Sequence, residues 1–253
     1  KNIVLGIGGS ATTDGGIGMA AALGYRFFDE AEKILHPIGK NLIHLKSIEY
    51  SHVHPRLGDV TFIALADVQN PLVGTYGAAA VFGPQKGANE FGVKWLERGL
   101  TQLASVIQQQ YQVELNFEGA GAGGGMGGGA CFFLHARLVS GITFLMQVFN
   151  LEEKIKQCDA VITGEGKMDT QTLSGKVIQG ICHLAKRNAK RVFAVVGKNE
   201  LSADQLASLS LKKVVTLQQE GTSSAEAHKN AFLLVKERVH EEIIPLLLSA
   251  PAD

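Results

Sequence analysis

Apolar and polar positions alternate along the chain in blocks that read as strands and helices in turn. Ile3–Leu5 is a short apolar run that ends in a glycine-rich turn, which predicts a buried strand. Residues 16–25 (GIGMAAALGY) predict a helix of small residues closed by Gly24. Residues 29–48 are polar, hold Pro37 and Gly39, and predict loop and short turns. Residues 60–66 (VTFIALA) predict a second buried strand, bounded by Gly58 and Pro71. From 90 to 110 the apolar residues Phe91, Leu96, Leu100, Leu103, Val106 and Ile107 recur at helical spacing, so a long amphipathic helix is expected. A glycine tract then divides the chain.

Beyond the tract the expected order is an apolar helix near 131–138, a helix at 142–149, and a strand at 159–163 (DAVIT). A helix at 174–188, a strand at 191–196 (RVFAVV) and a helix at 201–209 follow. The last elements expected are a strand at 213–217 and a long helix at 225–244 that stops near Pro245. Strands that alternate with helices predict an α/β fold with a parallel sheet covered on both faces. The second half reads as part of a doubly wound, Rossmann-like domain.

Composition narrows the function. Apolar residues make up 45% of the 253 residues and aromatics only 7%, so the core is built on aliphatics. The formal net charge is zero, with no basic block, which argues against nucleic acid as a main partner. The three cysteines, Cys131, Cys158 and Cys182, are odd in number and lack CxxC spacing. They predict buried small hydrophobes in a reducing compartment rather than a disulfide framework or a zinc site. The apolar runs are too short to span a bilayer, and Lys1 and Asn2 lead directly into IVLGIGG with no visible leader. A cytoplasmic protein with no membrane partner is expected.

Four dense motifs carry the candidate chemistry. They are GGSATTDGG (Gly8–Gly16), ADVQNPL (Ala66–Leu72), GPQKG (Gly83–Gly87) and GEGKMDTQTLSGK (Gly164–Lys176). Each sets turning backbone beside Asp, Lys, Ser or Thr, which suits a phosphorylated ligand and a divalent cation. In the first, the amides at Gly8, Gly9 and Ser10 can cradle an anion, and Thr12, Thr13 and Asp14 can bind hydroxyls or a metal. The plainer reading is a tight turn with Asp14 as a helix cap. In the second, Asp67 stands at the carboxyl end of a strand, where open α/β sheets bind ligands. Taken alone, an Asx-turn before Pro71 is the plainer reading. In the third, Lys86 lies between glycines and can present a point charge to phosphate or carboxylate, or it is a solvated turn lysine.

The tract GAGAGGGMGGG (Gly119–Gly129) has eight glycines in eleven residues, among them Gly123, Gly124 and Gly125. It lacks the GK[ST] of a Walker A loop, and Val148 occupies the place of a Rossmann ribose acid. Close approach of its backbone to a ligand is the expectation. In the fourth motif, Gly164, Glu165, Gly166 and Asp169 are expected on a loop after DAVIT, with the two acids placed for Mg²⁺ or a hydroxyl proton. Thr172, Ser174 and Lys176 follow as further phosphate-binding candidates. His52 and His54 lack a third metal ligand nearby and read as a surface pair.

Two function classes fit these residue types: a small-molecule kinase, and a nucleotide- or sugar-phosphate-binding module without catalysis. The acids Asp14, Asp67, Glu165 and Asp169 favour the kinase, since a binder needs only the glycines and lysines. Taken together and in this order, the motifs resemble the glycerate kinase family of the first type. The resemblance implies ATP-dependent, Mg²⁺-dependent phosphorylation of D-glycerate. It implies catalytic roles among Asp14, Asp67, Lys86 and Asp169, with Mg²⁺ at Glu165 and Asp169. It also implies a Rossmann-like nucleotide domain, here 139–253, and a second α/β domain of different topology, here 1–138, with the active site in the cleft between them.

Relatives in that family carry a further N-terminal segment with a PDSFKGS-like motif. On that ground the chain is expected to match the family's C-terminal two thirds, with the N-terminal segment absent. An unpaired sheet edge and association between copies would follow.

Overall fold

The structure is a computed structural model and describes residues 1–173, 177–218 and 224–249. The chain divides into two compact units, 1–141 and 142–253. Both are α/β.

The first unit opens with strand β1 (Asn2–Gly6), helix α1 (Ile17–Ala22), and strands β2 (Arg26–Phe28) and β3 (Ser47–Glu49), which pair antiparallel. Strand β4 (Thr61–Leu65) follows, then helices α2 (Ala78–Phe82), α3 (Glu90–Tyr111) and α4 (Ala122–Leu134), and strand β5 (Arg137–Val139). Strands β1, β4 and β5 form a parallel sheet in the order β1-β4-β5. Helix α3 is as the apolar spacing predicts: Leu100, Leu103, Val106 and Ile107 are buried on one face, against Phe27, Leu42, Leu45 and Phe133. Asn89 caps its start by accepting a hydrogen bond from the Gly92 amide at 2.8 Å.

The second unit holds α5 (Gly141–Val148, whose first residue belongs to the first unit), α6 (Leu151–Lys156), β6 (Ala160–Met168), α7 (Val177–Arg187), β7 (Arg191–Asn199), α8 (Ala203–Ser208) and β8 (Lys213–Thr216). Helices α9 (Ser224–Lys229), α10 (Ala231–Arg238) and α11 (Ile244–Leu248) complete it. The sheet is parallel, in the order β6-β7-β8. Strand β7 feeds two cores by its two-residue period. Val192, Ala194 and Val196 pack with Ile178 and Cys182, whereas Phe193 packs with Val215 and Ile243. Both faces of the sheet are therefore covered, as a doubly wound arrangement requires.

Four local expectations differ from what forms. The helix expected to reach 138 ends at Leu134, where His135 turns left-handed (φ 52°), and residues 137–139 join β4 as β5. Within 29–48, residues 47–49 begin a strand that pairs with β2. Strand β6 does not stop at Thr163 but runs to Met168, because Gly164–Met168 stay paired with Val195–Asn199 of β7. The C-terminal helical stretch passes through Pro245, which sits in the first turn of α11, where a missing N–H costs nothing.

Candidate functional site

In the first unit, β1 and β4 lie side by side in parallel with Gly6 opposite Leu65. Their carboxyl ends therefore deliver Gly8–Ser10 and Asp67 to the same sheet edge. Helix α2 and the turn after it bring Gln85 and Lys86 to that edge, and α4 brings Ala122 and Gly123. Together they line a cavity of about 230 Å³ whose polar wall holds Gly8, Gly9, Ser10, Asp67, Gln85 and Lys86. Three of the four motifs and the glycine tract thus meet at one place.

Lys86 is the best-anchored group there. Its Nζ donates to the Ser10 hydroxyl and to the Thr12 carbonyl, both at 2.7 Å. Burial lowers its pKa from the ordinary lysine value, and the nearby Asp14 charge offsets part of that. Asp67 is exposed in the cavity wall, and its Oδ1 accepts from the Gly141 amide at 2.8 Å and, more loosely, from the Ser140 hydroxyl at 3.4 Å. Gly9 has φ 71° and, among the described residues, the amides of Gly8, Gly9 and Ser10 have no hydrogen-bond partner. Consecutive free amides around a left-handed glycine form an anion-binding concavity.

Asp14 does other work. Its carboxylate accepts from the amides of Gly16 at 3.0 Å and Gly18 at 3.2 Å, and the residue is 8% exposed. It braces the turn into α1, whose N-cap is Gly16, and does not line the cavity. Thr12 contributes its carbonyl to Lys86, and Thr13 is buried. The tract approaches backbone, but the backbone of this same chain. Gly123, Gly124 and Gly125 have φ of 62°, 74° and 93°, so the regular part of α4 starts only after them. A Cβ on Gly124 would stand 2.0 Å from the Thr12 carbonyl oxygen, and the Gly124 carbonyl accepts from the Gly15 amide at 3.1 Å. A Cβ on Gly129 would stand 2.2 Å from the Gly15 oxygen. The glycines clamp the first motif in place, and only Gly123 among them reaches the cavity lining.

A larger cavity of about 540 Å³ lies between residues 39–44 and the start of α3. Phe91, Trp95, Leu96, Lys40 and His44 line it, its wall is mainly apolar, and none of the motif residues reaches it. Its chemistry gives no reason to place a reaction there.

In the second unit the fourth motif is strand and turn. Gly164 sits against the Val195 carbonyl, and Gly166 faces open space. Glu165, still within β6, accepts at Oε1 from the Thr172 hydroxyl at 2.5 Å, and Thr172 Oγ1 in turn accepts from the Asp169 amide at 3.2 Å. Thr172 is 1% exposed, so it positions Glu165 and Asp169 rather than facing a ligand. Lys167 pairs with Glu200 at 2.8 Å and with Asp169 at 3.6 Å, and Lys198 pairs with Glu200 at 2.9 Å. The hydrogen bond from Lys167 to Glu200 raises the lysine's pKa and lowers the carboxyl's. Neither Lys198 nor Glu200 stood out in the sequence, since each is an ordinary charged residue until β7 sets it beside the end of β6. Ser174 and Lys176 lie outside the described residues.

Among the described residues no group of three or more His, Cys, Asp or Glu could hold a metal ion. A cation that takes one or two carboxylates and completes its shell with water and substrate phosphates needs no such group, and the hard oxygens of Glu165 and Asp169 fit it. His54 accepts from the Arg56 amide at 3.3 Å, and His52 contacts the Ser51 hydroxyl at 2.8 Å. Burial pushes the Cys182 thiol up to about 11, as an inert core thiol behaves, and raises that of Cys131; the expectation of three buried cysteines holds for Cys182 alone, since Cys131 and Cys158 are half-buried. Among the described residues no helix is long and apolar enough to cross a membrane.

The fold and the cavity define an α/β protein with a polar cavity at the edge of one parallel sheet and a doubly wound second unit. The sequence model of the glycerate kinase family matches residues 1–247, and the chain belongs to that family. It is 45% identical over 197 residues to glycerate 2-kinase of Escherichia coli K12 and 43% identical over 198 residues to a glycerate kinase of Halalkalibacterium halodurans. Each alignment covers 78% of this chain and 52% of the relative, so the chain spans about half the length of these curated relatives. A crystal structure from Salmonella typhimurium LT2, provisionally named glycerate kinase 2, superimposes with a TM-score of 0.73 at 35% identity, covering 96% of this chain and 66% of that one.

The family match takes in nearly the whole chain. This overturns the expectation that the chain answers only to a C-terminal two thirds of the family's pattern with an N-terminal segment missing.

Proposed function

We propose that this chain carries the activity of its family: ATP-dependent phosphorylation of D-glycerate, giving 2-phosphoglycerate. The single observation that carries the reading is the meeting of three motifs and the glycine tract at one small cavity with an anchored lysine. The name of the Escherichia coli relative, glycerate 2-kinase, favours the 2-position. Phosphoryl transfer asks little covalent help of a protein. It asks for oriented reactants and for charge placed where the transferring group develops it.

On this reading Lys86 and the free amides of Gly8–Ser10 hold an anionic group, and Asp67 receives the acceptor hydroxyl. Asp14 fixes the turn that carries Thr12, and so the site of Lys86. In the second unit Glu165 and Asp169 would hold Mg²⁺, which supplies charge neutralisation to nucleotide phosphates when bound. The three free cysteines support a reducing, cytoplasmic setting.

The test is direct. The 253-residue chain is incubated with ATP, Mg²⁺ and D-glycerate, and phosphorus NMR separates 2- from 3-phosphoglycerate. The 2-isomer is expected. Absence of any phosphorylated product across a panel of small hydroxy acids would sink the reading.

A further inference from the structure

The cavity lining holds two chemically different kinds of polar group, and the difference bears on how a hydroxy acid lies in it. Lys86 has three N–H donors, and Ser10 and Thr12 take two of them. One N–H remains for a ligand. Ser10 Oγ accepts from the ammonium, so its own proton is turned away from Lys86 and is free to donate. The unpartnered amides of Gly8, Gly9 and Ser10 lie in the same segment. These groups offer donors and no ionised acceptor. Of the other polar lining groups, the Gln85 amide is neutral and can donate or accept, and Asp67 is a carboxylate and so an acceptor only, with Oδ1 held by the Gly141 amide. Ile7, Leu65 and Phe82 supply apolar wall. The volume, about 230 Å³, is below the ~300–1,000 Å³ of pockets that take drug-sized ligands. It suits a molecule of a few heavy atoms.

We propose that this cavity is the acceptor subsite, and that it holds a small hydroxy acid one way round. The carboxylate lies on Lys86, the Ser10 hydroxyl and the Gly8–Ser10 amides, and the reacting hydroxyl lies on Asp67. The proposal rests on the kinase reading above and deepens it. A carboxylate turned the other way would meet the Asp67 charge and leave the donors unmatched. In the transfer itself the hydroxyl oxygen forms the new bond to the γ-phosphorus of ATP. The terminal P–O bond breaks with its electron pair going to ADP, and the hydroxyl proton passes to the Asp67 carboxylate. Ser10 is then a specificity residue: it distinguishes a carboxylate from a neutral alcohol.

The test separates binding from turnover. Calorimetry without nucleotide measures D-glycerate on the wild-type chain and on Ser10→Ala, Lys86→Gln and Asp67→Asn, with glycerol and inorganic phosphate as comparison ligands. Ser10→Ala is expected to weaken glycerate binding about 10-fold or more, the loss of a hydrogen bond to a charged group. Lys86→Gln is expected to weaken it further, and Lys86→Arg to recover part of it. Glycerol is expected not to bind. Asp67→Asn is expected to keep binding within a few-fold while kcat falls roughly 10²–10⁴-fold. A melting curve on each variant confirms that it folds.

Glycerate binding that Asp67→Asn abolishes and that Ser10→Ala and Lys86→Gln leave unchanged would overturn the orientation. Inorganic phosphate that binds more tightly than glycerate, and competes with it, would overturn the acceptor assignment. Wild-type binding with the expected variant pattern but no turnover would support the orientation and remove only the kinase reading.

Discussion

The two units treat their glycine-rich motifs in opposite ways. In the first, residues from four separate segments converge, and the groups at the cavity keep hydrogen-bonding capacity in reserve: one N–H of Lys86, the proton of Ser10 and three backbone amides. In the second, Thr172 satisfies Glu165 and the Asp169 amide, and Lys167 and Lys198 both pair with Glu200. Similar sequence texture therefore marks an open binding wall in one place and a largely self-satisfied strand end in the other. Glycine density does not distinguish them. What does is whether the polar groups beside the glycines have spent their hydrogen bonds.

The largest effect that would sharpen this contrast is on stability. Gly124→Ala places a Cβ 2.0 Å from the Thr12 oxygen at φ 74°. It is expected to cost the first unit about 3 kcal/mol or more by urea denaturation. Gly166→Ala meets nothing within 4 Å and is expected to stay within about 1 kcal/mol of the parent. Equal losses would erase the distinction.

Activity gives the next test. Lys86→Met is expected to lower kcat/KM for glycerate about 10²-fold with the melting temperature nearly unchanged, as loss of a charge-assisted contact does. Asp169→Asn is expected to lower kcat by about 10²-fold if the fourth motif holds the metal and phosphate side. Normal kinetics in Asp169→Asn would leave the first unit as the only site of chemistry.

Smaller still is Thr172→Val, which strips two hydrogen bonds from a buried hydroxyl. It is expected to destabilise the second unit by about 1–3 kcal/mol. Ser10→Ala, at the open wall, is expected to leave stability within about 0.5 kcal/mol.

The mildest prediction concerns pH. Burial disfavours the Lys86 ammonium, so its proton leaves at a pH below the ordinary lysine value of about 10.4. In the proposed orientation, glycerate binding needs the charged form. KM should therefore rise as pH climbs through that lowered pKa, earlier than an ordinary lysine would allow. Lys86→Arg should shift the rise upward, and a KM flat to that point would show that the lysine does not touch the substrate.

Much of this was legible in the sequence, and the remainder has a physical reason for being hidden. The runs IVL, TFIAL, RVFAVV and KVV are strands because contiguous aliphatics between turn residues have little else to become. The long α3 follows from its spacing alone. Strand β5 was hidden because three residues, Arg137–Val139, carry no period of their own, and their pairing with β4 decides them. The extent of β6 was hidden because Gly164 and Gly166 punctuate the sequence as a turn would, yet the β7 ladder continues past them. Asp67 and Lys86 were legible as residue types. Their meeting was not, since it depends on Gly6 lying opposite Leu65 in a sheet. Asp14 shows the reverse case: the sequence allowed either a ligand group or a cap, and in the fold its carboxylate accepts from two amides of the turn into α1, where Gly16 is the N-cap.

The clamp between Gly124 and the Thr12–Gly15 turn also bears on when the site comes into being. Its two sides are roughly a hundred residues apart in the chain, and such distant closures come late because the loop entropy precedes the reward. A nascent chain can complete β1 and β4 and still have no seat for Lys86, because the turn that offers the Thr12 carbonyl is not yet braced. Ligand-binding competence should then emerge on the ribosome only after the tract has cleared the exit tunnel. A pulse of glycerate-dependent protease protection would appear as a step in chain length rather than a gradual gain.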